Sequence, residues 1–265
     1  MTSTHFHGSP IWGMRGEVHR IAVTGSGAFV SFIRPDQMDA SLKWADLVGV
    51  DCGAFSAWRR KITINWLDYY HWLERYYEHD KLAFFVIPDV VEGGEVDNDK
   101  LIGQLPQEFR AKAVPVWHLH ESIERLIALC YEWPRVAFGS SGEFSTIRTK
   151  AWHSRMIQAF DAIYCQRDLK TRIHGLRMLD GRVLGAYPLD TADSTNLACN
   201  VPKYEVKYPE LTRQIREADY CKGLTEEEIK ALVLKGRCAI LKNAIESVTP
   251  PLRSDWVSIR MQVAA

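Results

Sequence analysis

The chain lacks the long apolar run that a membrane-spanning helix needs. Its 265 residues contain no apolar stretch of the roughly 18 residues that cross a bilayer. The opening segment MTSTHFHGSPIWG has no basic flank followed by an apolar core, so the sequence predicts no secretory signal there. We therefore expect a cytoplasmic location and no membrane partner.

Paired cysteines and an excess of one charge are also missing. The six cysteines are scattered without a CxC or CxxC pair, which is poor spacing for a zinc site and no sign of a disulfide framework. The 33 basic and 33 acidic residues cancel. Because nucleic-acid-binding proteins usually carry a basic excess, this balance argues weakly against such a partner, although a local basic stripe is compatible with it.

Six short apolar runs are present, and each ends in a polar or glycine-rich cluster. Helical patterns separate most of them, and no GxGxxG motif suggests a dinucleotide-binding sheet. Since all strands of a βα barrel open on one face, this order predicts an α/β TIM-type (β/α)8 barrel whose strand ends form one active site. The runs are LVGVDCGAFS (47–56), KLAFFVIPDV (81–90), AVPVWHLHE (113–121), RVAFGSSGE (135–143), TRIHGLRM (171–178) and AYPLDTADSTN (186–196).

The chain has no repeat, low-complexity segment or linker, so we predict a single domain over 1–265 with seven or eight strands. Its first part is irregular: a loop over 1–18, then two short strands around a Gly-Ser-Gly turn in 19–35. Residues 250–265 are predicted to be a C-terminal arm, either a tail or a packing arm. Helices are predicted near residues 63–79, 96–105, 122–132, 149–166, 209–219 and 225–247.

Three aspartates lie where an apolar strand gives way to a loop: Asp51, Asp89 and Asp193. Partial burial there raises the pKa of a carboxyl group towards the range of a general acid, whereas a hydrogen-bonded carboxylate stays ionised and can act as a nucleophile. Each aspartate could instead cap a helix or a turn. Their occurrence at successive strand ends favours a catalytic set.

Small residues at another strand end, Gly139, Ser140 and Ser141, would let a planar ligand or a sugar approach the backbone, although ordinary turns also use them. His118 and His120 form an HxH pair that could bind a divalent metal. Such histidines more often bind a ligand or a neighbouring carboxylate. We therefore predict no metal and no cofactor.

Three further residues belong to the predicted site. His174 and Arg177 share the rim that follows one strand, where the guanidinium group could hold a phosphate or carboxylate, or neutralise a nearby aspartate. Phe55 follows Asp51 and could lie over a bound ring.

The segment DCGAFS (51–56) resembles the DSGGFQ segment of the tRNA-guanine transglycosylase superfamily. This superfamily includes the queuine and archaeosine enzymes and the DNA-modifying 7-deazaguanine transglycosylases of phages and bacteria. The late ADST looks closest to the DNA-modifying, phage-borne branch. The resemblance covers about residues 47–200 and continues, in the same order, through VIPDV, VWHLHE, AFGSSGE, HGL and TADSTN.

The resemblance implies a TIM barrel that exchanges a guanine in nucleic acid for a 7-deazaguanine. Asp193 would be the nucleophile that forms a covalent glycosyl intermediate, and Asp51 the general acid and base. Asp89 would bind the purine edge, with Gly139 and Ser140 near the base. The expected partners are DNA or tRNA and a 7-deazaguanine base.

Departures from that pattern leave several points open. The cysteine-rich zinc segment and the arginine-rich late signature of the tRNA enzymes are absent, so the sequence does not choose between DNA and RNA. Asp190 competes with Asp193 as nucleophile, and hydrolysis competes with exchange. A homodimer or a partner subunit is compatible with the sequence. The alternative functions are a metal-dependent hydrolase and a catalytically silent barrel that binds nucleic acid or protein.

Overall fold

The computed structural model describes residues 4–9, 15–203 and 209–263. In these ranges nine short strands, all parallel, form one sheet. The strands are β1 (His5–Gly8), β2 (Gly27–Ser31), β3 (Leu47–Asp51), β4 (Leu82–Val86), β5 (Ala113–Val114), β6 (Val116–His118), β7 (Arg135–Gly139), β8 (Arg172–Leu176) and β9 (Thr191–Ser194).

The sheet closes on itself in chain order. β1 pairs with both β2 and β9, and the two sheet edges, β5 and β6, are separated only by Pro115. Proline cannot donate a backbone hydrogen bond, but its carbonyl still accepts one from the Ala137 N–H at 2.9 Å. β5 and β6 therefore occupy one interrupted position of an eight-position barrel. This confirms the predicted TIM-type fold.

Aromatic rings fill the inside of the barrel. The ring centroid of Phe84 lies 4.9 Å from that of His174 and 5.3 Å from that of Phe6. Gly27 makes room for this layer, because a Cβ atom there would lie 2.5 Å from the Phe6 ring. The filled interior means that the open space of the barrel lies above this layer, at one end.

Helices surround the strands, and all six predicted helices are present, although most are shorter than expected. The last predicted turns of α7 are π-helical, over Asp161–Gln166. The helices are α1 (Arg15–Val23), α2 (Met38–Trp44), α3 (Ala54–Arg60), α4 (Trp66–Glu74), α5 (Glu95–Gly103), α6 (Ile123–Glu132), α7 (Lys150–Phe160), α8 (Gly181–Leu184), α9 (Asn196–Asn200), α10 (Pro209–Arg216), α11 (Glu226–Glu246) and α12 (Trp256–Val263).

The start of the chain differs from the prediction. The expected loop over 1–18 contains β1 and the beginning of α1, and the first of the two strands expected in 19–35 is the second half of α1. Val18 and Ala22, four residues apart, are both buried, so the apolar spacing is helical rather than alternating. Residues 1–3 and 10–14 of the expected loop lie outside the described residues.

The C-terminal arm packs on the barrel, one of the two predicted alternatives, through a helix that was not predicted. Trp256 of α12 is fully buried, with its ring centroid 5.3 Å from that of Phe160. Its indole N–H donates to the Asp161 carboxylate at 2.8 Å. Within the ranges described, no helix is long and apolar enough to cross a membrane.

Candidate active site

A cavity of about 250 Å³ opens at the carboxyl ends of the strands, and eight of the predicted site residues line it. They are Asp51, Phe55, Asp89, His118, Gly139, Ser140, Arg177 and Asp193. The other three, His120, Ser141 and His174, do not line the cavity. The convergence that was predicted from the parallel strand ends therefore holds for most of the set.

Asp51 is the last residue of β3, and the chain turns sharply behind it into α3. Gly53 makes this turn at φ 88°, a left-handed conformation, and a Cβ atom there would lie 2.7 Å from Ile33. Burial raises the pKa of Asp51 to about 7, and the negative charges of Asp89 and Asp193 add to this shift. At neutral pH a large fraction of Asp51 is thus protonated and able to donate a proton.

Asp193 lies in β9, and one of its two carboxylate oxygens contacts residues of the segment 174–177. Its Oδ1 accepts a hydrogen bond from the Arg177 backbone N–H at 2.9 Å, and the His174 Nε2 lies 3.4 Å from the same oxygen. Burial lowers the pKa of His174, so this imidazole is neutral near pH 7. No described residue donates a hydrogen bond to Oδ2, which leaves one oxygen of a cavity-lining carboxylate free for reaction.

Asp89 lies three residues after β4 and binds two side chains. His118 Nε2 lies 2.9 Å from its Oδ2, and the Cys52 thiol donates to Oδ1 at 3.4 Å. Burial raises the pKa of Cys52, so this thiol keeps its proton and is a donor. Gly139 permits the arrangement, because a Cβ atom there would lie 2.7 Å from His118 Nδ1.

A buried carboxylate, Glu121, joins the two loops that carry this pair. Its Oε2 accepts the His118 backbone N–H at 2.8 Å, and its Oε1 accepts the Asn98 amide at 2.8 Å. Asn98 Oδ1 in turn accepts the Val90 backbone N–H at 2.7 Å, directly after Asp89. The Arg125 guanidinium compensates the buried charge at 2.6 Å from Glu121. Glu121 therefore positions Asp89 and His118 without lining the cavity.

Arg177 covers one face of Phe55. Its guanidinium carbon lies 3.8 Å from the centroid of the ring, and its Nη2 donates to the Ser140 carbonyl at 2.5 Å. This face of Phe55 is therefore closed to a bound ring. The positive charge also acts on Asp193 and Asp51, so Arg177 partly neutralises the carboxylates, which was one of its two predicted roles.

The HxH pair does not present both imidazoles to the cavity. β6 ends at His118, and His120 lies in the following turn, where its Nδ1 is 2.8 Å from the Ser141 hydroxyl and its Nε2 is 3.2 Å from the Gly93 carbonyl. Over the described residues, no three His, Cys, Asp or Glu side chains are grouped as they would be around a metal ion. The metal-dependent hydrolase has no geometric support.

Asp190 does not share the cavity with Asp193. It precedes β9 at the opposite end of the barrel, where its Oδ2 accepts the Ile173 backbone N–H at 3.1 Å. Its charged neighbours are Arg253, Arg135 and Arg172. Of the two candidate nucleophiles, the structure places only Asp193 at the cavity.

Sequence reasoning missed several contributors to the site. Arg59, Ser9 and Ser31 line the cavity, and Cys52 binds Asp89. Ser31 and Cys52 lie at strand ends, so their position in the sequence could have identified them as site residues. Nothing in the local sequence distinguishes Glu121 from a solvated acid, because its partners come from other elements of the fold.

No protein-family model matches this chain, and a search of curated proteins found no match either. The resemblance to the transglycosylase superfamily therefore rests on the quoted motifs. The arrangement of the cavity is independent of that resemblance.

Proposed function

We propose that this chain is a glycosyl-transfer enzyme that detaches a guanine-type base from nucleic acid through a covalent intermediate on Asp193. The observation that carries this proposal is the pairing of unlike carboxyl groups at one cavity. Asp51 has a pKa of about 7, whereas Asp193 is hydrogen-bonded on one oxygen and free on the other. Glycosidic bond cleavage with retention requires one carboxyl group that donates a proton and a second one with an oxygen free to attack the sugar.

In the first step, a lone pair of Asp193 Oδ2 attacks the anomeric carbon of the nucleotide. The bond between that carbon and the base breaks, and its electron pair leaves with the base. Asp51 donates its proton to the departing base, so that a neutral base is released and Asp51 becomes a carboxylate. The negative charge of the facing carboxylate stabilises the oxocarbenium-like transition state.

In the second step, the glycosyl group leaves Asp193 for an incoming 7-deazaguanine. Asp51, now ionised, accepts the proton from the incoming base as its ring nitrogen attacks the anomeric carbon. The ester bond to Asp193 breaks, and its electron pair returns to the carboxylate. If water takes the place of the base, the same residues perform hydrolysis. Exchange and hydrolysis are therefore distinguished by experiment.

Asp89 and its partners would recognise the base. A carboxylate can accept two N–H groups from the amidine-like edge of a guanine, and His118 and Cys52 hold Asp89 in place for this contact. Gly139 and Ser140 line the cavity without bulky side chains, which leaves space for a flat ring.

A base-release assay tests the proposal. Wild type, Asp51→Asn and Asp193→Asn are each incubated with guanine-labelled DNA and, separately, tRNA, with and without a 7-deazaguanine. We expect labelled guanine to be released by the wild type alone, and dependence on the added base identifies exchange. Asp190→Asn is the matched control, since Asp190 lies outside the cavity, and it should release guanine normally. If well-folded wild type releases no base from either polymer, the proposal is wrong.

The same variants separate the enzyme from a catalytically silent barrel. A barrel that only binds nucleic acid or protein would show equal binding and no base release in all four proteins. Release by the wild type that is unaffected by both cavity substitutions would also contradict the assigned roles.

A further inference from the structure

The end of α3 presents three consecutive cations beside the cavity. Arg59, Arg60 and Lys61 are exposed, and within the described parts of the chain none of them forms an ion pair with a carboxylate. Other exposed arginines, such as Arg213 with Glu210 and Arg148 with Asp180, do form ion pairs. We call Arg59, Arg60 and Lys61 the α3 basic cluster.

The basic cluster is continuous with the cavity. Arg59 lines the cavity itself, and its guanidinium carbon lies 5.9 Å from the centroid of the Phe55 ring. The Phe55 ring is in turn 5.6 Å from that of Trp58, whose side chain is 45% exposed. The exposed ring of Trp58 and the α3 basic cluster therefore lie side by side at one edge of the cavity.

Helix stability alone does not account for this segment. Cations near the end of a helix interact favourably with its free carbonyl groups, which explains part of the pattern. However, Lys61 takes the left-handed conformation at φ 55°, where glycine is the favoured residue and a lysine costs about 1 kcal/mol. A costly lysine in place of glycine is expected where the charge itself is used.

We propose that the α3 basic cluster binds the phosphodiester backbone of a single-stranded stretch of nucleic acid as one of its nucleotides enters the cavity. This inference rests on the proposed function, and it adds the surface on which the polymer lies. A base must leave its stack to reach a cavity at the mouth of a barrel, and this costs least in a single-stranded stretch, where the base is already unpaired. Phosphate-binding cations next to an aromatic ring suit such a strand, because the ring can stack on a neighbouring base.

The test compares two triple variants with equal charge. Arg59→Gln/Arg60→Gln/Lys61→Gln removes the basic cluster, and Arg167→Gln/Lys170→Gln/Arg172→Gln removes two arginines and one lysine that are exposed at the other end of the barrel. Binding of guanine-containing single-stranded DNA and RNA oligonucleotides of one sequence is measured from low to high salt. Circular dichroism and thermal melting verify that both variants fold.

We expect the cluster variant to bind about 10- to 100-fold more weakly at low salt, with a salt slope reduced by about 2, because each lost phosphate contact on a single strand accounts for about 0.7. The control variant should bind as the wild type does. Equal binding by the cluster variant, equal weakening by both variants, or no binding of either oligonucleotide by the wild type would overturn the inference.

Base release by the same proteins separates this inference from the proposed function. If the wild type binds the strand through the basic cluster but releases no base, the binding surface stands and the proposed chemistry fails. If the wild type releases the base and the cluster variant does so with unchanged KM, the chemistry stands and the binding surface is wrong.

Discussion

The charges that surround acidic side chains differ between the amino and the carboxyl end of the barrel. At the amino end, Asp190 lies among Arg253, Arg135 and Arg172, whose positive charges oppose the rise in its pKa that burial causes. At the carboxyl end, Asp51 lies beside two further aspartates, whose negative charges add to the effect of burial. At the amino end three cations surround one carboxylate, whereas at the carboxyl end three aspartates lie together and Arg177 compensates their charge only in part.

This difference supports the proposed function, because groups with perturbed pKa values cluster at functional sites. Like charges that are held together in a partly buried cavity lower the stability of the fold, and they persist where their perturbed proton affinity is used. Asp51 and Asp190 are the same residue type, so the comparison isolates the effect of position in the barrel. Asp193 follows Asp190 by only three residues but lies at the carboxyl end with Asp51, so the contrast also holds within one chain segment.

The largest expected effect is a difference in activity between substitutions at Asp193 and at Asp190. Asp193→Asn should lower the rate of base release about a thousandfold or more, because it removes the carboxylate that we propose as nucleophile and keeps the size of the side chain. Asp190→Asn should lower it less than about threefold, since its side chain lies at the other end of the barrel. Steady-state kinetics on the accepted polymer measures both, and similar losses would remove the distinction between the ends.

The second-largest expected effect is on the free energy of unfolding, which is measured without a substrate. Since the folded-state pKa of Asp51 is raised to about 7, the unfolded chain ionises first as the pH rises. Wild-type stability should therefore fall between about pH 4 and pH 7 relative to that of Asp51→Asn.

At pH 8, Asp51→Asn should be more stable by on the order of 2 kcal/mol, because each unit of pKa shift corresponds to about 1.4 kcal/mol and solvent access reduces the full value. At pH 4 the two proteins should be equally stable. Urea unfolding at both pH values measures this. Asp190→Asn should gain less at pH 8, because cations surround Asp190. A wild type that is no less stable than Asp51→Asn at pH 8 would contradict the raised pKa.

A smaller effect is expected for the residue that joins the loops. Glu121→Gln keeps the size of the side chain but places a neutral amide against Arg125, so the loops that carry Asp89 and His118 should shift. We expect kcat/KM for base release to fall about tenfold, as for other residues that orient a reacting group.

The imidazole resonances of His118 in NMR spectra should also move in Glu121→Gln, and this readout does not depend on activity. Glu132→Gln is the control, because Glu132 forms an exposed pair with Arg110 at the amino end. An unchanged His118 spectrum would show that Glu121 only stabilises the fold.

The smallest expected effect is a difference in the free energy of unfolding between alanine substitutions at two glycines. Gly139→Ala places a methyl group 2.7 Å from His118 Nδ1, whereas Gly103→Ala, at the end of α5, meets no atom within 4 Å. We expect Gly139→Ala to lower the free energy of unfolding by about 1 kcal/mol and Gly103→Ala to leave it unchanged or raise it slightly. Thermal unfolding measures the difference, and equal stability of the two variants would contradict the close approach at Gly139.

Much of the fold follows from local pattern. The apolar runs between 47 and 196 predicted most of the strands, and helices between them have ordinary caps, such as Ser122 for α6 and Thr149 for α7. The beginning of the chain was mispredicted because His5–Gly8 is short and rich in polar residues, although β1 lies between β2 and β9. A strand of this composition is stabilised by its neighbours rather than by its own propensity.

The sequence by itself determined that Asp51, Asp89 and Asp193 meet, because parallel strands in a barrel end on one face and each aspartate lies at or shortly after the carboxyl end of a strand. Only the tertiary structure decided the surroundings of each of them. The pKa of Asp51, the pairing of Asp89 with His118, and the exclusion of Asp190 all depend on distances between side chains of different strands. Electrostatic and hydrogen-bond energies change steeply with such distances and with burial, and a one-dimensional pattern contains neither.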